Sequence, residues 1–399
     1  MARNLPADAT ALLREAVSAL PSIAQPLLAA MAVCAPEGFR LSLAAEIAGL
    51  DETTSLNALQ EIHSRSLAEE LDRDDRRYRV HALVREATGT TDVLRKKQAE
   101  LVHREFEEWE NNWHQREKDM ADWQVAFTWA LEQPGAEAWK IACCLARNAH
   151  LLTHRLGRLP ESYEICQRMT READGRGDKS ESGEWYGRQG LILRAWGRFE
   201  ETLALHKKQE AICQELGDKD GLRFCYGSQA LSLFYLGQLK AAMELYKKEE
   251  AICEELGNKI GLASSYGNQA LVLQSLGRPE EAMVLHKKQE KICQELGHKN
   301  CLQHCYGNQA SILLSWSRLE EVMALLKKKE SICLELGHKG SLANCYWSWG
   351  LTARAQGDFQ TAREKLEQAL ALYTELGMPQ EIKAVQVALY KTNSYAQPN

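Results

Sequence analysis

Long apolar runs are missing from this chain. No stretch approaches the roughly 18 consecutive apolar residues that cross a bilayer, and the opening Met-Ala-Arg-Asn-Leu-Pro has no secretory core. A cytoplasmic protein with no membrane partner is expected. A basic excess is missing too: 49 Lys and Arg stand against 55 Asp and Glu, and the net charge of −6 argues against a general affinity for nucleic acid. There is no Gly-four-residues-Gly-Lys-Ser/Thr loop. The nearest string, Gly175-Arg176-Gly177-Asp178-Lys179-Ser180, has the wrong spacing, so no backbone cradle for phosphates is predicted and NTP hydrolysis has no basis. Nothing in the pattern implies a closed pocket with paired carboxylates. The chain is therefore expected to be non-enzymatic and to need no cofactor.

What the chain has is self-similarity. From Asp178 to Gly377 a 40-residue unit recurs five times, each copy closing on Glu-Leu-Gly at Gly217, Gly257, Gly297, Gly337 and Gly377. The same step relates Tyr186, Tyr226, Tyr266, Tyr306 and Tyr346, and it relates Cys213, Cys253, Cys293 and Cys333. Such a period marks a solenoid, in which each unit buries its apolar face against its neighbours. Within Asn258 to Gly297, the residues Leu262, Tyr266, Ala270, Leu271 and Leu273 fall on one face of a first helix that Gly277 stops. Pro279 and Glu280 open a second helix, which runs to Leu296 before Gly297. Each unit is predicted to be a helical hairpin.

The spaced residues Tyr266, Ala270, Leu273, Gly277 and Ala282 resemble the aromatic, small, large, turn-glycine and small positions of the tetratricopeptide repeat. The 40-residue step is similar to the units of kinesin light chains and nephrocystin-like proteins. The resemblance implies a mainly α fold, a right-handed α-solenoid over residues 178–377, and a role in binding rather than one chemistry.

Twelve cysteines could suggest disulfides. Four share one apolar slot of the second helix, and Cys225, Cys305 and Cys345 share one slot of the first, where Trp185 and Ser265 stand in the other copies. Equivalent slots lie roughly 10 Å apart by helix-packing distance, beyond disulfide reach, so reduced and buried thiols are expected. His298, Cys301, His304 and Cys305 have zinc-like spacings, but they open an ordinary first helix and no metal is predicted.

Residues 1–90 read as a separate unit. Helical patterns (Leu12, Leu13, Ala16, Leu20; then Ile23, Leu27, Leu28, Met31) precede two short helices and two strands, Leu67–Leu71 and Tyr78–Val80, around a charged turn. Helices followed by a β-hairpin describe a winged helix. The stretch Tyr78-Arg79-Val80-His81-Ala82-Leu83-Val84-Arg85-Glu86 resembles the end of the winged-helix region in signal-transduction ATPases with numerous domains, where a Met-His-Asp triplet stands. His81 matches the histidine, which in that family contacts the β-phosphate of ADP; Val80 and Ala82 depart from the triplet. Since the phosphate loop is absent, the resemblance implies either an ATPase domain in a longer parent chain as a partner, the reading preferred here, or a stand-alone remnant of such a protein. Within this chain His81 is expected to pack beneath the hairpin. A rival reading is a winged-helix regulator that binds DNA, but residues 1–90 carry nine Arg and no Lys against eight Glu and five Asp, the wrong sign for phosphate.

Residues 91–137 predict a helical connector rich in aromatics (Phe106, Trp109, Trp113, Trp123, Phe127, Trp129) that pack against the first repeats. Residues 138–177 predict a degenerate capping repeat; residues 378–399 predict a capping helix and a frayed tail from Lys391.

The family resemblance also nominates a binding row. The residue two before the packed small position of the first helix faces the concave groove, giving Arg188, Ser228, Asn268, Asn308 and Ser348. A carboxamide offers a peptide unit both a donor and an acceptor, so a protein or extended peptide is the implied partner. Gly187, Gly227, Gly267 and Gly307 precede the first four, and the lost side chain is expected to admit another backbone. Gln189, Gln229, Gln269 and Gln309 are expected to bond Glu210, Glu250, Glu290 and Glu330 across each hairpin. The Lys-Lys pairs of the second helices are expected to form a solvated face.

Overall fold

The computed structural model describes residues 7–107 and 112–395, which divide into two compact units, Met1–Ile192 and Leu193–Asn399. Trp109 lies outside the described residues.

The first unit begins with α1 (Ala7–Ser18), α2 (Ala24–Val33), β1 (Phe39–Arg40), α3 (Leu41–Ala48), α4 (Glu52–Ser64), β2 (Glu69–Asp72), β3 (Arg77–Arg79) and α5 (Ala82–Thr88). Gly49 ends α3 at φ 74, and the Asp51 carboxylate caps α4 by accepting from the Thr54 amide at 2.8 Å. The strands form an antiparallel sheet in the order β1-β3-β2, with Phe39 opposite Tyr78. Only two residues long, β1 carries no alternation that a sequence could reveal. Leu27, Leu28, Met31, Phe39, Ile47 and Ile62 fill the core beneath. Arg85 fastens α5 to the end of α2, where its guanidinium donates to the carbonyls of Ala32, Cys34 and Ala35 at 2.5–2.9 Å.

Residues 91–137 hold three helices, α6 (Asp92–Glu107), α7 (Trp113–Lys118) and α8 (Met120–Glu132). Phe106, Trp123 and Phe127 are buried, and the Trp123 indole donates to the Leu145 carbonyl at 2.9 Å on the next helix. These three aromatics are thus core. A partly buried ion cluster joins them to the sheet, with Arg40, Arg77 and Arg116 all on Asp119 and with Arg40 and Arg116 also on Glu105. A hairpin of α9 (Ala136–Arg155) and α10 (Leu159–Arg176) follows, then α11 (Lys179–Ala195).

The second unit continues as α12 (Phe199–Leu216), α13 (Lys219–Tyr235), α14 (Leu239–Leu256), α15 (Lys259–Ser275), α16 (Pro279–Glu295), α17 (Lys299–Ser315), α18 (Leu319–Leu336), α19 (Lys339–Ala355), α20 (Phe359–Glu375) and α21 (Pro379–Tyr395). The punctuation is local. Gly257 takes φ 65 after α14, the Asn258 amide reaches back to the Cys253 carbonyl at 2.8 Å, and the Asn258 side chain then caps α15 by accepting from Gly261. The turn inside each hairpin uses Gly237, Gly277 and Gly357 at positive φ, whereas Ser317 occupies this conformation at φ 58 without being glycine. In place of the first part of the expected frayed tail, α21 runs to Tyr395, with Thr392 buried and its hydroxyl donating to the Ala388 carbonyl; the rest of the expected tail, 396–399, lies outside the described residues.

Candidate binding face

In the second unit the first helices of successive hairpins, α13, α15, α17 and α19, approach one another directly and the second helices do so less. The first helices therefore line the inner side of the stack. Along α15, after the exposed Lys259 of its first turn, the exposed Ile260, Ser264 and Ser275 and the half-buried Asn268 and Leu271 fall on a single face at three-to-four spacing. At these five positions in the hairpins between 218 and 377, Asp220 alone carries a charge, and Arg223 pairs with it at 2.8 Å. In a chain that is 26% charged, this face is nearly neutral.

The predicted row sits on it. Asn268, Asn308 and Ser348 are half-buried, and Ser228 is buried. Among the described residues the carboxamides of Asn268 and Asn308 make no hydrogen bond, so their donors and acceptors remain available. Toward one end the exposed Tyr235 ring stacks on Phe199 at 4.9 Å, giving the face an aromatic edge. Arg188 belongs to the first unit and is engaged there: it donates to Glu184 at 2.7 and 3.0 Å and lies over the Trp185 ring. Burial alone would raise the Glu184 carboxyl, but the Arg147 and Arg188 guanidiniums hold it below the usual range.

The helical glycines admit something other than backbone. A Cβ on Gly227 would meet the Glu249 carboxylate at 2.6 Å, one on Gly267 the Gln289 amide at 2.5 Å, and one on Gly307 the Lys329 ammonium at 2.9 Å. Each glycine thus makes room for a polar side chain of its own hairpin's second helix. Gln289 uses that room to meet His286, 3.1 Å from its oxygen. Glu249 is left with one oxygen unpartnered, and burial pushes its carboxyl up to about 7, only partly offset by Ser265 and Arg223.

The glutamine row also bonds differently from the expectation. Gln229, Gln269 and Gln309 donate to Glu210, Glu250 and Glu290 at 2.7–2.9 Å, each reaching back to the preceding hairpin rather than across its own. Gln189 likewise turns back, to Thr170, which holds the glutamate slot of the hairpin α9–α10. Where Trp349 replaces the glutamine, Lys365 bonds Glu330 at 3.0 Å instead. These bonds seal neighbouring hairpins together. The second lysine of each pair is more than a solvated charge: Lys248, Lys288 and Lys328 stand over Tyr226, Tyr266 and Tyr306 at 5.1–5.4 Å.

His81 is exposed rather than packed beneath the hairpin, and its Nδ1 accepts from the Leu83 amide at 3.3 Å at the start of α5. The zinc-like group disperses. His298 caps α17, His304 faces solvent on the inner side, and the Cys305 thiol donates to the His286 carbonyl. All 12 cysteines are free thiols, but unlike slots come together where like slots do not, bringing Cys213 beside Cys225 and Cys293 beside Cys301. Reasoning that compared only equivalent positions missed these pairs. The glycine beside each slot, Gly221 and Gly261, was the available signal.

No family model matches the sequence, and no curated protein matches it. Among solved structures, a signal-transduction ATPase with numerous domains and a tetratricopeptide repeat sensor, from Pyrococcus horikoshii, aligns over 100% of this chain with 14% identity and a TM-score of 0.51. The chain spans 64% of that protein. The quorum sensor NprR from B. thuringiensis covers 73% of this chain and is matched over 82% of its own, with 11% identity and a TM-score of 0.53. Aspartyl phosphate phosphatase F from Bacillus subtilis covers 93%, is matched over 94%, and gives 13% identity and a TM-score of 0.53. In fold, the chain is a mainly α tetratricopeptide-repeat solenoid.

Proposed function

We propose that the protein is a non-enzymatic recognition scaffold whose inner face binds an extended segment of a peptide or protein. Asn268 and Asn308 would hold the ligand's main chain, with Ser228 and Ser348 flanking them. The observation that carries the reading is the pair of half-buried carboxamides, without internal partners, on a face almost free of charge. Such a surface suits a ligand recognised by its peptide units. Arg188 remains a candidate for an acidic group, in competition with Glu184. Likeness in fold to a quorum sensor and to an ATPase with a repeat sensor supports the reading.

On the finer reading, residues 1–90 are a winged helix and the protein is the sensing portion of a cytoplasmic signalling or defence protein. The winged helix relays the solenoid's state to an ATPase domain in a longer parent, and His81, exposed at the start of α5, would meet the nucleotide. The order of α2, β1, α3, α4, β2 and β3 supports the winged helix.

Selection from a displayed library of unstructured peptides tests the binding face. Binders should be enriched by the wild-type protein and lost with Asn268→Ala plus Asn308→Ala, while the helical circular dichroism stays unchanged. Equal retention by both proteins would overturn the assignment.

A further inference from the structure

We propose that Cys301 and Cys293 form a thiol–disulfide exchange site that takes a low-molecular-weight disulfide as its co-substrate. The site arises from one departure within the repeat. Position 301 is occupied by glycine in the two preceding copies, at Gly221 and Gly261. There a Cβ would stand 2.6 Å from the Cys213 sulfur and 2.8 Å from the Cys253 sulfur. In a disulfide each Cβ lies roughly 3 Å from the far sulfur, given an S–S bond of about 2.05 Å. Placing cysteine at 301 therefore sets a second thiol at bonding range of the first, and Cys301 packs against the buried cluster that contains Cys293.

The surroundings assign the roles. Cys301 is half-buried and stands in the first turn of α17, where helix amides favour an anion. The Gln289 amide donates to its sulfur at 3.4 Å. The neighbouring Cys293 thiol foremost, with Gln289 and nearby His298, outweighs burial and brings the Cys301 thiol down to about 7, while its partner's is pushed up. Cys301 is the accessible nucleophile and Cys293, 1% exposed, the resolving thiol. The neighbouring Cys305 is buried and bonded to the His286 carbonyl, so it does not compete. Cys213 and Cys225 also adjoin but are both buried, which makes them an internal control.

In the reaction the Cys301 thiolate attacks one sulfur of the small disulfide and expels one thiolate, forming a mixed disulfide. Cys293 loses its proton and attacks the Cys301 sulfur, which releases the second thiol. Two protein thiols are oxidised to one disulfide, and one small disulfide is reduced to two thiols.

The test incubates reduced full-length protein with oxidised glutathione, unfolds it, caps the remaining thiols with iodoacetamide and maps the digest by mass spectrometry. A Cys293–Cys301 linkage is expected, with the other cysteines capped. Cys293→Ser should trap glutathione on Cys301. Cys301→Gly, which restores the residue of the neighbouring copies and so keeps the fold, should leave every cysteine capped. The proposal is overturned if no thiol is consumed, if the linkage forms at Cys213–Cys225 instead, or if glutathione persists on Cys301 with Cys293 intact.

Discussion

Replacing Glu249 by glutamine should stabilise the solenoid at neutral pH and leave it nearly unchanged in acid. Glu249 is 6% exposed, has an unpartnered oxygen, and occupies a slot filled by Gln209 and Gln289 in neighbouring copies. Its carboxyl moves from 4.5 in the unfolded chain to about 7 in the folded one. Below about pH 4.5 both states hold the proton and the group is neutral toward stability. As pH rises the unfolded chain releases its proton first, so the wild type loses stability progressively until about pH 7, beyond which the deficit is constant. At about 1.36 kcal/mol per unit, the deficit is below about 1 kcal/mol at pH 5 and about 3 kcal/mol at pH 8. The buried His206 and His286 slope the other way: burial lowers both, His206 to about 4, and stability is lost as pH falls below the ordinary histidine range. They are common to both proteins and cancel in the difference. Urea midpoints of wild type and Glu249→Gln at pH 5 and pH 8 measure it. Curves that stay parallel, or a wild type that gains on the variant as pH rises, would refute the buried-carboxyl argument.

Two further substitutions test the joints. Ser317→Gly should raise stability by about 1 kcal/mol in thermal denaturation, because Ser317 holds a left-handed conformation that costs a side chain about that much. Glu250→Ala should lower it by about 1–3 kcal/mol, since the buried Gln269 amide loses its carboxylate acceptor and keeps only the longer bond to Ser265; Gln269→Met, which removes the donor and lets Glu250 hydrate, should be milder, and the order of the two urea midpoints is the readout.

The architecture of residues 178–377 could be read from a few punctuating residues, because Gly257 and Gly277 need left-handed backbone and Asn258 caps a helix wherever the chain places them. Partner identities were harder to read. Gln269 lies 19 residues after Glu250 and 21 before Glu290, and a linear pattern does not tell which is nearer in space. The packing of hairpin on hairpin decides it, in favour of the earlier one. The glycines failed for a similar reason: their repetition signalled a close approach, but only the fold names Glu249, Gln289 and Lys329 as what approaches. The row of Asn268 and Asn308 came from the family resemblance rather than from spacing; helical period explains only why its members keep to one face.

The seam between hairpins has a genetic consequence. Glu210, Glu250 and Glu290 present the same acceptor to the same glutamine one copy later. Excising residues 258–297 would therefore set Glu250 against Gln309 with no new contact to invent. Unequal crossing-over between such copies would change the solenoid by whole rungs while keeping this glutamate–glutamine joint.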